Sequence, residues 1–460
     1  MKTTVPTPEK QGLSAQHLME CAASTSRMID RTRIRALHVP LHPHPCGPRR
    51  SKMQVLRISN ALLVLIAALA LPAHAWFRVA CTSPLVQERI DPIISPGTSP
   101  SNHVHTVHGA NLFGSNSSFD TLRASSCTNC LVSQDLSNYW FPKLYFLNTQ
   151  NNTFEDVPNG GLLVYYQNRG TGDVSNGGTG LKAFPPGLKM ISGDPRRRAR
   201  KYTHGEGSQA ELRERAVEWE CLRYPNNAGY NSKDTGAGFP NTDCEAGLNA
   251  RIHMPACWDG VNLDSPDHIS HTAYLSDLDN GDCPPTHPVP FMKILYEVTW
   301  DVQTFASRWD PTKDAWPFVW STGDATGFSW HGDFQNGWDV EVLQNAIDRC
   351  NDPSNPTGQG ITEACSFFTM IDAPIADQCK KAPSVNEAVA GVLDRLPGCN
   401  PLQPGPEDAG VYSGPDGQCL DITGGGPSGT SGALRRFDHS SGWIGLLASV
   451  PLFFSLVFGI

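Results

Sequence analysis

The absences in this chain narrow its chemistry first. No Gly-x-Ser-x-Gly elbow is present, which removes hydrolases built on a nucleophilic serine at a strand-to-helix turn. The glycine run Gly177-Gly178-Thr179-Gly180 is followed by neither Lys-Ser nor Lys-Thr, so it reads as a flexible loop and not as a phosphate cradle. Cys127-Thr128-Asn129-Cys130 has no second pair of that spacing to complete a zinc cluster, and reads as a participant in disulfides. Internal repeats are absent and helical periodicity is scarce. Positive charge is scarce too: residues 76–460 hold 26 Lys and Arg against 42 Asp and Glu, a net charge of about −16, where the whole chain has −9. A surface that acidic argues against nucleic acid as a partner. The basic run Arg196-Arg197-Arg198-Ala199-Arg200-Lys201 lies among Gly and polar residues and is expected to be a solvated loop.

Two apolar runs flank the polar bulk. Ala61 to Leu71 follows Arg57 and leads into Ala73-His74-Ala75, a pattern expected of a secretory signal over 53–75 with cleavage after Ala75. Residues 1–52 are Arg-, His- and Pro-rich without an apolar period, and Met53 is the expected true start. Trp443 to Ile460 is an uncharged apolar tail behind the spacer Leu434 to Gly442 and the small triplet Ser431-Gly432-Ala433. That order fits a glycosylphosphatidylinositol signal over 433–460, with a lipid anchor in the outer leaflet and an extracellular address. Of 14 cysteines, only Cys21 and Cys46 precede residue 76; the remaining dozen imply up to six disulfides in an oxidising compartment. Asn116 and Asn151 head glycosylation sequons with Ser118 and Thr153, whereas Pro356 disqualifies Asn355.

Between these ends, residues 76–399 are expected to form one mainly β domain, a sandwich or jelly roll with long disulfide-stapled loops, followed by a Pro-, Gly- and Ser-rich stalk over 400–432. Strand-like runs bounded by turn residues are Tyr139 to Leu147, Gly161 to Gln167, Phe291 to Val302 and Trp316 to Trp320. Two helices are expected, one from Asp339 as N-cap to Cys350, and one over Val385 to Leu396 behind Ser384.

The stretch from Met254 to His287 is dense in polar, imidazole and carboxylate groups, poor in aliphatic residues, and holds Cys257 and Cys283. Such loops on a rigid scaffold carry function. Asp259, Asp264, Asp267, Asp324 and Asp333 are candidate catalytic carboxylates, since glycoside hydrolysis needs two at a suitable separation. Each is equally suited to closing a turn by bonding its own backbone. Trp258, Trp330 and Trp338 are candidate stacking faces for sugars, with Asn262 and His331 as hydroxyl partners; the alternative is Trp buried in a β core. His103 and His105 stand two apart, so an extended chain sends both imidazoles to one side. They make a candidate divalent-metal pair, with further ligands from His268, His271, His287 or His331; histidines bonded to buried carboxylates or backbone are the competing account.

The order of Trp76-Phe77-Arg78-Val79-Ala80-Cys81, Arg89-Ile90-Asp91-Pro92-Ile93, His103-Val104-His105, Cys127-Thr128-Asn129-Cys130, Ser137-Asn138-Tyr139-Trp140, Cys257-Trp258-Asp259-Gly260, Ser270-His271 and His331-Gly332-Asp333-Phe334 resembles the fungal secreted family of unknown function numbered nineteen-ninety-six, over roughly Phe77 to Cys399. That resemblance implies export and a cell-wall setting, and no assigned reaction. The combined expectation is a surface-tethered protein with a carbohydrate-directed cleft, either hydrolysing cell-wall polysaccharide or holding it without catalysis, or else a histidine-ligated metal-binding domain.

Overall fold

The computed structural model describes residues 76–224, 235–240, 242–350 and 359–410. The signal and anchor segments expected at the ends lie outside them, as does most of the expected stalk. Strands take 28 % of the described residues and helices 13 %, so the protein is mostly β as its short, turn-bounded apolar runs imply. Every strand pairing within the four sheets of the described residues is antiparallel.

The largest sheet orders β1 (Trp76–Cys81), β7 (Leu162–Gln167), β15 (Lys293–Trp300), β11 (Leu248–His253), β9 (Val217–Cys221) and β10 (Thr235–Gly236) side by side. A five-stranded sheet orders β2 (Val86–Glu88), β3 (His105–Gly109), β4 (Asn138–Pro142), β17 (His331–Gln335) and β8 (Lys189–Gly193). Two smaller sheets join β16 (Phe318–Trp320), β5 (Leu144–Asn148), β6 (Thr153–Asp156) and β18 (Val392–Leu393), and β13 (Thr272–Ala273), β12 (Cys257–Trp258) and β14 (Val289–Pro290).

Alternation explains how the two large sheets pack. On β15, Ile294, Tyr296, Val298 and Trp300 are buried, and on the other face Glu297 pairs with Arg251 of β11 across the strands. The buried face meets the five-stranded sheet. Tyr139 of β4 lies edge-on to Tyr296 and its hydroxyl is 2.6 Å from that of Tyr166 on β7, while Tyr296 donates to the carbonyl of Asp333 on β17. Gly332 lies where the sheets approach most closely: a Cβ there would stand 2.9 Å from Ile252 and 3.0 Å from Tyr296. The outcome is a sandwich with a mixed aromatic core, not a closed barrel.

Three local expectations change on folding. The run Tyr139 to Leu147 is two strands in different sheets, broken at Lys143, whose buried ammonium bonds Gln87 Oε1 and pairs with Asp156. Val385 to Leu396 is not a helix. Its first donors are taken by Glu88, whose Oε2 accepts from Ser384 N, Ser384 Oγ and Val385 N, and Val392–Leu393 pairs with β6. Nor is the basic run wholly solvated, because Arg198 is fully buried and bonds the carbonyls of Pro195, Arg197, Thr322 and Gln403. The expected helix behind Asp339 is present as Val340–Arg349, with the Asp339 side chain accepting from Val342 N.

Disulfides join Cys81 to Cys130, Cys127 to Cys379, Cys221 to Cys244, Cys257 to Cys283 and Cys350 to Cys365, and Cys399 is bonded as well. Cys127 and Cys130 thus belong to two different bridges. No helix among the described residues is long and apolar enough to cross a membrane.

Candidate metal centre

The outer face of the five-stranded sheet carries the only group of three metal-ligand side chains found among the described residues: His103, His105 and His331. Their convergence follows from register. His105 lies opposite Pro142 on β4, and on the far side of β4 Asp333 lies opposite Trp140, which brings His331 level with Pro142. Two strand spacings, roughly 10 Å, are bridged because both imidazoles reach over the proline. His103 enters from the segment preceding β3.

That segment also forms a roof. Arg89 and Ser101 bond each other's backbone across the loop, and Ile90 and Ile93 pack with Val107, Trp140 and Ile191 on the sheet's outer face. All three histidines are buried as a result.

The hydrogen bonds fix where the protons sit. His105 Nδ1 is 2.8 Å from the carbonyl of Ile90, and His331 Nδ1 is 2.7 Å from the carbonyl of Ser329. A carbonyl only accepts, so each Nδ1 donates its hydrogen and each Nε2 presents a bare lone pair. Those two Nε2 atoms are 3.4 Å apart, and His103 Nε2 is 3.1 Å from that of His331. Burial pulls the pKa of His105 and of His331 down to about 4, with the neighbouring His105 adding to the effect at His331, and drives His103 well below the ordinary value. Neutral imidazoles are the form that binds metal.

Two buried carboxyls stand beside the rings. Asp91 Oδ1 accepts from the backbone of Ile93 and Ile94. Asp333 Oδ2 has no hydrogen-bond partner and lies 4.0 Å from His331 Nε2. Burial, reinforced by Asp91, pushes the Asp333 carboxyl well above the ordinary range.

The other candidates fall elsewhere. His271 spends both ring nitrogens, Nδ1 on Ser265 Oγ and Nε2 on the carbonyl of Lys189, and His268 Nδ1 bonds Asp264; neither joins the three-histidine group. Asp259 accepts from Val261 N, Asn262 N and the Asn262 side chain. Asp267 accepts from Ser265, Ile269 and Ser270, and although burial raises its pKa, these bonds outweigh that and hold it far below the ordinary range. These carboxylates tie the loop to itself. Asp324 is buried, accepts from Thr326 and Ser329, and faces Arg198 at 3.8 Å. Trp330 and Trp338 are interior rings, stacked on Trp320 and bonded to Tyr166 respectively, so neither offers a face to a sugar. Trp258 is partly exposed and stacks on Phe291, its indole N–H donating to the carbonyl of Asn262. In the sequence His331 stands as a candidate hydroxyl partner and as one of four candidate further ligands to the His103 and His105 pair. The signal that places it is its strand register.

A family profile described as a domain of unknown function (DUF1996) matches residues 91–338, more than half of the chain. The chain belongs to that family. No curated protein and no solved structure matches it.

Proposed function

We propose that this protein is an exported metal-binding domain in which His103, His105 and His331 hold one divalent transition ion. One observation carries the reading: bare Nε2 lone pairs on His105 and His331 point at one another at 3.4 Å, with both Nδ1 hydrogens committed to backbone carbonyls. Lone pairs so placed repel unless a proton donor or a cation lies between them. The spacing suits one, since ligands about 2.05 Å from a tetrahedral zinc stand about 3.3 Å apart. Backbone carbonyls that fix the tautomer are the usual outer partners of metal-bound histidines. Imidazole donors suit zinc, copper, iron or nickel.

The expected result for protein purified without chelator is about one such ion per chain by mass spectrometry, lost in His105→Ala and in His331→Ala. Wild-type protein that takes up none of zinc, copper, iron or nickel would refute the reading.

The setting is part of the proposal. The disulfides support an oxidising compartment, and we place the mature chain, from Trp76 to about Ser431, at the cell surface on a lipid anchor. Phospholipase release from intact cells tests that address. Contact with cell-wall glycan is retained at one place, where the partly buried Trp258 lies beside the exposed Val261 and Leu263. Trp258→Ala is expected to weaken retention on a glycan array; an array that wild type does not bind removes this part of the proposal.

A further inference from the structure

We infer that Asp333 supplies a fourth ligand to the same ion, through Oδ2, so that the centre is a three-nitrogen, one-oxygen site. This rests on the three-histidine reading above and assigns the group that completes it. Asp333 and His331 are two residues apart on β17, so their side chains leave the same face of the strand. Gly332 between them turns to the other face, where the packing against Ile252 and Tyr296 leaves no room for a Cβ. The strand is therefore pinned at the point where it presents the histidine and the aspartate together.

Asp333 Oδ2 is the unused acceptor of this pocket. It is buried, 4.0 Å from His331 Nε2, and has no hydrogen-bond partner. A buried acceptor left unpaired is costly, and a cation held by the histidines removes that cost. Asp91, the other buried carboxyl, is a poorer candidate because its Oδ1 already accepts two backbone N–H groups. Oδ2 of Asp333 lies outside the tight group of three nitrogens, so ligation requires the carboxylate to swing towards the ion. Charge favours that movement: one carboxylate halves the net charge that a divalent ion brings into a buried site. A donor set of three imidazoles and one carboxylate selects borderline divalent ions such as zinc, cobalt or iron over copper(I), which prefers sulfur.

The test compares wild type, Asp333→Asn and Asp333→Ala, each loaded with cobalt(II) as the probe. Both variants are expected to bind cobalt at least tenfold more weakly and to shift its visible absorption, because an oxygen donor has left the coordination sphere. Stability separates ligation from packing: without metal, Asp333→Asn is expected to be no less stable than wild type, since no hydrogen bond is lost, and with metal to be less stable. Cobalt affinity and spectrum equal to wild type in both variants would overturn the assignment of Asp333 while leaving the three-histidine centre standing. Wild type that binds no cobalt, zinc or iron would overturn the centre itself. A variant destabilised equally with and without metal would show Asp333 to be a packing residue, which also overturns the assignment.

Discussion

Lys293 shows how far one side chain can be drawn from its solution behaviour. Its ammonium is fully buried on β15, 2.5 Å from Asp279 Oδ1 and 2.6 Å from His253 Nδ1. Burial lowers its pKa from 10.5 to about 8, although Asp279 opposes the shift. Below pH 8 the lysine is charged in both states and folding bears its desolvation; between about 8 and 10.5 the unfolded chain binds more protons, so stability rises with pH. Relative to Lys293→Met, the wild type is expected to gain about 1–2 kcal/mol in urea unfolding between pH 7.5 and 9.5. An unchanged gap would mean that the ammonium is solvated.

At the scale of elements, the segment 381–396 is a strap held by an acidic residue from the far end of the chain. Glu88 bonds Lys381, Ser384 and Val385, and Arg89 pairs with Glu387. Burial raises the Glu88 pKa, but Lys381, Ser384 and Val385 outweigh it and leave it below its ordinary value of 4.5. The stability it contributes is present above pH 4.5 and is lost as pH falls through the lower, folded value. Glu88→Gln is therefore expected to speed hydrogen exchange across 381–396 at neutral pH, while the wild-type strap loosens only in acid. Equal exchange in the two proteins at neutral pH would contradict the role given to Glu88. The same segment shows why one helix was legible and another was not. Asp339 and the spacing of Leu343, Ala346 and Ile347 are local, and they make Val340–Arg349 helical where it stands. Val385 to Leu396 has a comparable apolar spacing, yet its backbone donors are claimed by Glu88 and Asp156, more than two hundred residues away. Local periodicity does not register such partners.

For the whole molecule, the disulfides are the main covalent restraint on a loop-rich chain. Native protein is expected to show no alkylatable thiol by mass spectrometry, and more than one would count against the pairing. The bridges should not be equal. Cys127–Cys379 spans 252 residues and Cys350–Cys365 spans 15, for which loop entropy suggests about 5 and about 3 kcal/mol. Replacing Cys127 and Cys379 with serine is expected to lower the midpoint of thermal unfolding more than replacing Cys350 and Cys365. The reverse order would show that native-state contacts, not chain entropy, set their worth.

Residue types and their short-range order determined a good deal alone: mostly β architecture, Cys127 and Cys130 as disulfide participants outside any zinc cluster, and the helix behind Asp339. Each depends on neighbours within a few positions, where side-chain alternation and hydrogen-bond reach are fixed by the backbone. Tertiary structure decided the rest. It put Trp330, Trp338 and Asp324 in the interior and turned the carboxylates of Asp259 and Asp267 onto their own loop. It also brought His331, some 230 positions from His103, over Pro142 to meet the histidine pair. Which strands flank β4, and in what register, is set by the packing of whole sheet faces, and no local pattern in the chain encodes that choice.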